Sequence, residues 1–218
     1  MIDDDKRAAA YAAVAEVRPG MLVGLGTGST AAFAIERLGE LVRGGLDIGA
    51  VATSLNSEAL ARAAGIALLD FATIDSVDLT IDGADEIDDG LCAIKGAGGA
   101  MLREKIVAAA SRRMIVIADS AKRVDRIGRA KLPVEVLPFG LAFVANRLAG
   151  LGARTEIRDA RSDQGNALID CFFADMPDPS ALAAAISAIP GVLGHGLFLD
   201  EVDCAYIGDS GRVIRLDR

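Results

Sequence analysis

Histidine is nearly missing from this sequence, with His195 the only one in 218 residues. Held between Gly194 and Gly196, it reads as a turn or surface residue, and no Ser-His-Asp or Cys-His nucleophile set can be assembled around it. Cysteine is scarce too. Cys92, Cys171 and Cys204 are odd in number, far apart and in apolar surroundings, which predicts buried free thiols in a reducing compartment, not disulfides or a zinc site. Basic residues are in deficit: 31 acidic side chains face 23 basic ones, for a formal net charge of −8 and a pI near 4.7. That balance opposes a general attraction to nucleic acid or anionic lipid, so an anionic ligand must be captured locally. No apolar stretch reaches the ~18 residues of a membrane span before glycine or charge interrupts it. The opening Met1-Ile2-Asp3-Asp4-Asp5-Lys6-Arg7 places acids where a signal peptide carries bases, with no apolar core behind them. A cytoplasmic protein without membrane or nucleic-acid partners is expected.

What is abundant is small and apolar. Alanine fills 40 positions and glycine 24, apolar residues make up 52%, and the mean hydropathy is +0.37. Such a chain is not disordered, and its elements can approach closely. At this length, one domain with a modest appendage buries roughly 70% of the surface the unfolded chain exposes.

Strand, glycine loop and helix patterns alternate through the first 130 residues. Residues 3–17 form an Ala-rich amphipathic helix with acids in its first turn, where they complement the helix dipole, and Pro19-Gly20 ends it. A strand at 21–25 runs into Gly26-Thr27-Gly28-Ser29-Thr30 and then a helix reaching 42. Strands follow at 50–54, 66–69, 77–82 and 114–118, with helices at 57–64 and 99–110. This predicts an α/β fold with a Rossmann-like, mostly parallel sheet flanked by helices. From residue 131 the order changes to a strand at 132–138, a helix at 139–151, strands at 154–158 and 167–173 joined by a turn at 162–166, and a helix at 180–189. Further strands follow Pro190. That β-α-β-β-α-β succession belongs to a smaller ferredoxin-like α+β lobe. The expected division is a catalytic domain over 1–130, completed by about 201–218, and a second lobe over 131–200.

Three clusters carry candidate chemistry. In Gly24-Leu25-Gly26-Thr27-Gly28-Ser29-Thr30 the G-x-G-x-G spacing fails the dinucleotide fingerprint, and no lysine follows as in a Walker loop. What remains is a glycine turn with two hydroxyls at a helix N-terminus, suited either to one phosphate or carboxylate or to ordinary capping. The second cluster runs from Asp78 to Asp89. It places Asp82 at the end of an apolar strand and Asp85 just past it, where the ligand crevice of such sheets lies. Glu86, Asp88 and Asp89 read as solvated loop carboxylates, and neither a calcium-loop pattern nor a His or Cys partner supports a metal.

The third cluster, Lys95-Gly96-Ala97-Gly98-Gly99, feeds a helix that contains Glu104. Its helical neighbours Ala100, Met101, Val107 and Ala108 put the carboxylate on an apolar stripe. Burial there, with Asp82 or Asp85 nearby, raises a carboxyl pKa toward the range useful for proton abstraction. The alternative is a buried ion pair with Lys95, Arg103 or Lys105. Lys122 follows the strand at 114–118 and either reaches the same crevice or is solvated.

Several stretches stand in one order along the chain: Gly26-Thr27-Gly28-Ser29-Thr30, Thr53-Ser54, Asp82-Gly83-Ala84-Asp85-Glu86, and Lys95-Gly96-Ala97-Gly98-Gly99-Ala100 with Arg103-Glu104-Lys105. Ile117-Ala118-Asp119 with Lys122 and Leu132-Pro133-Val134-Glu135-Val136 complete the series. Together they resemble the type A ribose-5-phosphate isomerase family over nearly the whole length. The resemblance implies an aldose–ketose isomerase that interconverts D-ribose 5-phosphate and D-ribulose 5-phosphate in the non-oxidative pentose phosphate pathway. It implies no cofactor, no metal and a homodimer or homotetramer. On matching positions it implies Glu104 as proton acceptor, with Asp82, Asp85 and Lys95 at the reacting end of the sugar and Thr27, Gly28, Ser29 and Thr30 at the phosphate. Lys6, Gly83, Ala84, Gly96, Ala97, Gly98 and Lys122 match positions that contact substrate. The family's Lys-Gly-Gly-Gly run reads Lys95-Gly96-Ala97-Gly98 here.

The chemistry makes sense of those residues. Moving a carbonyl between C1 and C2 takes a proton from C2 and returns one to C1 on the same face, which one carboxylate can do. Lys95 or the amides after it stabilise the enediolate, each donor being worth roughly 3 kcal/mol. Asp82, by its strand-end position, is better placed than Asp85 to assist ring opening. Two other readings share parts of this pattern. A sugar-phosphate-sensing effector module has no need for Glu104, and a CoA-transferase-like subunit uses a glutamate as covalent nucleophile, which acyl-CoA exchange would reveal.

Overall fold

A computed structural model describes residues 2–218. In chain order the elements are α1 (Ile2–Val14), β1 (Leu22–Leu25), α2 (Ser29–Arg43), β2 (Gly49–Ala52), α3 (Leu55–Ala63), β3 (Ala67–Leu68), β4 (Leu79–Gly83), β5 (Glu86–Ile87), β6 (Ala93–Ile94), α4 (Met101–Ala109) and β7 (Met114–Asp119). The chain continues through β8 (Leu132–Val136), α5 (Leu141–Gly150), β9 (Arg154–Ile157), β10 (Ala167–Phe172), α6 (Pro179–Ser187), β11 (Val192–His195), β12 (Leu197–Phe198), β13 (Cys204–Asp209) and β14 (Arg212–Asp217).

Seven strands form the main sheet in the order β14-β13-β7-β4-β1-β2-β3. Every neighbouring pair is parallel except the β13–β14 hairpin. β7, an interior strand beside the central β4, is buried at each of its six positions, as a parallel strand covered on both faces must be. On one face Ala9, Ala10 and Ala13 of α1 and Ile35 and Leu38 of α2 pack on Val23, Leu25, Ile81, Ile115 and Ile117. On the other, Ala108 of α4 joins Met114, Val116, Phe198 and Val202. α1 and the turn after it are also tied to residues far along the sequence: Tyr206 Oη donates to Glu16 in that turn at 2.6 Å, and the Gly211 amide donates to Asp5 of α1 at 3.0 Å.

A second sheet, β11-β8-β10-β9, is antiparallel throughout, which is the ferredoxin-like arrangement. Val144 and Leu148 of α5 and Leu182 and Ile186 of α6 bury Val134, Val136, Ile169 and Cys171 beneath them. A third, three-stranded sheet, β12-β6-β5, was not anticipated from the sequence. It joins the segment after β11 to the loop that carries Lys95, whose amide donates to the Gly196 carbonyl at 2.9 Å.

Two expectations are corrected here. Glu86 is not a solvated loop acid. Pairing of β5 with β6 turns it inward, and its carboxylate accepts from the amides of Gly128 at 2.7 Å, Arg129 at 3.1 Å and Ala130 at 2.6 Å, which replace the water it loses. His195 is neither a turn nor a surface residue but a buried member of β11. Its Nδ1 accepts from the Leu197 amide at 3.3 Å and its Nε2 lies 3.1 Å from Ser187 Oγ, a pattern that fits a neutral ring protonated at Nε2. Burial, and then the nearby Lys105 charge, hold its pKa down to about 4. Cys171 and Cys204 are buried free thiols and Cys92 is half-buried and free. Among the described residues no helix is long and apolar enough to cross a membrane.

Candidate active site

β1, β4 and β7 lie side by side, so their C-terminal ends open on one edge of the main sheet. A cleft of ≈ 180 Å³ lies there. The Thr27–Thr30 loop after β1 lines it, together with the Gly83–Asp85 loop after β4, the Lys95–Gly98 loop before α4, Glu104 on α4, Lys6 on α1 and Lys122 beyond β7. All but one of the residues expected to react with or contact substrate border this cleft. The exception, Asp82, is fully buried behind its wall.

Gly26 makes that layering possible. A Cβ at this position would sit 2.4 Å from the Asp82 Cα, so only glycine lets the loop cross over β4. The close crossing allows the Thr27 amide to donate to Asp82 Oδ1 at 2.9 Å, and the Gly83 amide donates to the same oxygen at 2.7 Å. Asp82 Oδ2 lies 3.0 Å from Lys95 Nζ. Lys95 also donates to the Gly83 carbonyl at 2.5 Å and stands 3.6 Å from Glu104 Oε2. The three side chains are 0%, 2% and 4% exposed for Asp82, Lys95 and Glu104.

One ammonium therefore serves two buried carboxyl groups. Burial pulls the Lys95 pKa down, but Asp82 and then Glu104 outweigh it, so the pKa rises and the side chain stays charged. Burial raises Glu104 to about 8 against the pull of Lys95, with Asp82 and Asp85 adding to the rise. Glu104 Oε2 has no hydrogen-bond partner among the described residues. The ion pair expected with Lys95 is present but loose, at 3.6 Å, and it leaves Glu104 Oε2 without a hydrogen bond. Lys105 turns elsewhere, to the Leu197 carbonyl and to Glu201, 2.7 Å away. Asp85 borders the cleft and accepts from the Ala97 amide at 2.9 Å.

At α2 the N-cap is Gly28, with no side-chain cap. Ser29 and Thr30 are consequently the first helical residues, not caps, and their hydroxyls stay available to a ligand. Ser29 Oγ accepts from Lys6 Nζ at 3.2 Å. Two lysines, Lys6 and Lys122, two hydroxyls and a helix N-terminus share this cleft, a combination that suits a phosphate group. The sequence reading gave no role to the buried hydroxyls beneath the loop. Thr27 Oγ1 lies 2.8 Å from Thr53 Oγ1 and donates to Ser54 Oγ at 2.8 Å, and Ser54 forms a reciprocal cap on α3 with Ser57. The Ser54–Ser57 spacing was the available signal. A wider hollow of ≈ 600 Å³ between α3 and α4 has its acids already engaged, Glu58 with Arg62 at 2.6 Å and Asp70 as a cap.

Residues 49–212 match the family model of ribose 5-phosphate isomerase A (phosphoriboisomerase A). The chain is 56% identical to the ribose-5-phosphate isomerase A of Sphingopyxis alaskensis, over 96% of this chain and 94% of that protein. It is 46% identical to that of Caulobacter vibrioides, over 98% of each. Among solved structures, a D-ribose-5-phosphate isomerase in complex with phospho-erythronic acid has a TM-score of 0.95 at 35% identity, covering 100% of both chains. Ribose 5-phosphate isomerase A from Neisseria gonorrhoeae also has a TM-score of 0.95, at 36% identity over 100% of this chain and 97% of that one.

Proposed function

Because the chain belongs to the ribose 5-phosphate isomerase A family, it is an aldose–ketose isomerase for ribose 5-phosphate and ribulose 5-phosphate, and we propose that Glu104 moves the proton in that reaction. The observation that carries this role is the open, buried Glu104 Oε2 beside the Lys95 ammonium, at 3.6 Å. Glu104 takes the C2 proton of the open-chain aldose, and the electron pair moves through the C1–C2 bond onto O1. Lys95 and the amides of the loop after it balance the charge of the enediolate. Glu104 then returns the proton to C1 while the proton on O2 passes to O1, leaving the C2 carbonyl of the ketose.

Ser29, Thr30, Lys6 and Lys122 hold the phosphate, and that remote binding fixes the sugar carbons against Glu104. Asp82 has no face on the cleft, so its part in ring opening runs through Lys95, which it holds at 3.0 Å. Asp85 fixes the loop from the cleft side. A four-carbon phospho-acid such as phospho-erythronic acid fits the same reading, its carboxylate standing where the enediolate oxygens develop.

The division of labour follows the two larger sheets. Residues 1–130 with 201–218 carry the reaction, a reading supported by β13 and β14 lying in the seven-stranded sheet, and residues 131–200 brace it. The same proposal places the enzyme in the cytoplasm as a homodimer or homotetramer. Uncovered apolar side chains support a contact between copies, above all Phe139 at 98% exposure. The deciding experiment supplies metal-stripped protein with ribose 5-phosphate in deuterated water. Ribulose 5-phosphate labelled at C1 is the expected product; absence of ketose overturns the reading, and ketose formed without metal restores no other.

A further inference from the structure

The loop that carries Lys95 is also held from the antiparallel sheet. Arg158, the residue after β9, places Nη1 3.0 Å from the Ala97 carbonyl and Nη2 3.3 Å from the Gly96 carbonyl. Its Nε donates to Asp170 Oδ2 on β10 at 2.9 Å and its Nη2 to Oδ1 at 2.5 Å. Asp170 is itself buried and accepts from Lys131 at 2.7 Å. The guanidinium is therefore locked along one edge by a carboxylate, and its remaining donors meet two consecutive carbonyls of the catalytic loop.

Those carbonyls determine where the loop's amides point. A trans peptide unit holds its C=O and N–H antiparallel. With the Gly96 carbonyl turned to Arg158, the Ala97 N–H must point the opposite way, and it does, toward Asp85 Oδ2 at 2.9 Å. With the Ala97 carbonyl also turned to Arg158, the Gly98 N–H points away from the guanidinium, and Gly98 itself borders the cleft. The loop starts from Gly96 at φ 99°, where a Cβ would fall 2.6 Å from that of Met101. The Gly99 amide closes the turn onto the Gly96 carbonyl at 2.9 Å, whereas the Ala97 carbonyl, on the first of two exposed residues, is met by Arg158.

We propose that Arg158, held by Asp170, is a positioning residue for the isomerisation: it clamps the Gly96 and Ala97 carbonyls so that the Gly98 amide stands preset, with Lys95, against the oxygen that becomes anionic. The proposal rests on the reading of Glu104 and Lys95 given above. Arg158 does not line the cleft, so its contribution falls on the charge that develops during reaction and not on the grip on phosphate.

The test compares the whole enzyme with Arg158→Ala and Arg158→Lys. The readouts are kcat and KM for ribose 5-phosphate and inhibition constants for inorganic phosphate and for phospho-erythronic acid. A preset donor displaced by about 1 Å loses on the order of a hundredfold in rate. Arg158→Ala is therefore expected to lower kcat by about 30- to 100-fold with KM within about threefold, to leave phosphate inhibition unchanged and to weaken phospho-erythronic acid by about tenfold or more. Arg158→Lys keeps the charge but cannot span Asp170 and both carbonyls, so it recovers only part of kcat with the same split between inhibitors. If the alanine variant does not fold, the lysine variant decides. Equal weakening of both inhibitors, a kcat within about twofold of wild type, or full activity in Arg158→Lys overturns the clamp. A wild-type protein that fails to isomerise ribose 5-phosphate overturns the underlying reading instead.

Discussion

Glu104 Oε2 and Lys95 Nζ face each other across 3.6 Å with both side chains almost sealed from solvent. That separation is too long for a tight hydrogen bond, so the lysine lowers the cost of a charge on Glu104 without occupying the oxygen to which the proposed mechanism brings a proton. Asp82 takes the closer approach to the same ammonium, at 3.0 Å. Two carboxyl groups thus compete for one cation, and the one left under-compensated is the one that reaches the cleft.

Glu104→Gln removes the proposed proton acceptor while keeping the shape. Turnover of ribose 5-phosphate is expected to fall by about 10²–10⁴-fold or more, with circular dichroism and inhibition by inorganic phosphate unchanged. Activity within tenfold of wild type would remove Glu104 from the role.

The pH dependence follows from the same group. Burial raises the Glu104 pKa to about 8, and the carboxylate must be ionised to accept the C2 proton. The acid limb of kcat/KM is therefore expected well above the usual glutamate value of about 4.3, with activity falling about tenfold per pH unit below it. A profile flat down to pH values near 5 would show that Glu104 is not the titrating base.

At the phosphate, a hydrogen bond to a charged group is worth about 1.5–3 kcal/mol, or about ten- to a hundredfold in affinity. Replacing Ser29 and Thr30 with alanine should raise KM for ribose 5-phosphate by at least the lower figure and change the handling of unphosphorylated ribose far less. Steady-state kinetics on both sugars checks this, and equal effects on the two would sink it.

Gly26→Ala places a methyl 2.4 Å from the Asp82 backbone. Overpacking of this kind costs about 1–3 kcal/mol, and here the atom that must yield is backbone. A lowered Tm together with lost activity is the expected outcome. A variant as stable and active as wild type would mean that the crossing over β4 is looser than described.

His195 gives a stability prediction away from the cleft. Its pKa is lowered from 6.5 to about 4 in the folded chain, so between those values the unfolded state takes up a proton that the folded state refuses. Stability from this site is full above about 6.5 and is lost as pH falls toward about 4. His195→Gln should flatten that loss, as measured by urea unfolding on either side of the interval.

Much of this was legible in the sequence because the signals are local. The glycine turn at 26–28, the apolar run into Asp82 and the helical spacing around Glu104 each follow a short-range period. The strands and helices from Leu132 to His195 likewise kept their ferredoxin-like order. What escaped depends on distant partners. Two-residue strands such as β5, β6 and β12 have no period to read, and without them Glu86 looked like one more loop acid and His195 like a residue between two turn glycines. Arg158 stands 62 residues from Gly96, and nothing in its neighbourhood announces that it meets a loop beside Lys95.

The attachment of α1 to β13 has a bearing on synthesis. Lys6 owes its place to a helix whose alanines lean on Cys204 and Tyr206 and whose Asp5 is bonded to Gly211. Until those residues are made, the first helix can rest on α2 and β7, but the side it turns to β13 stays bare. The cation that meets Ser29 thus takes its final seat only after a strand far downstream of it has been added.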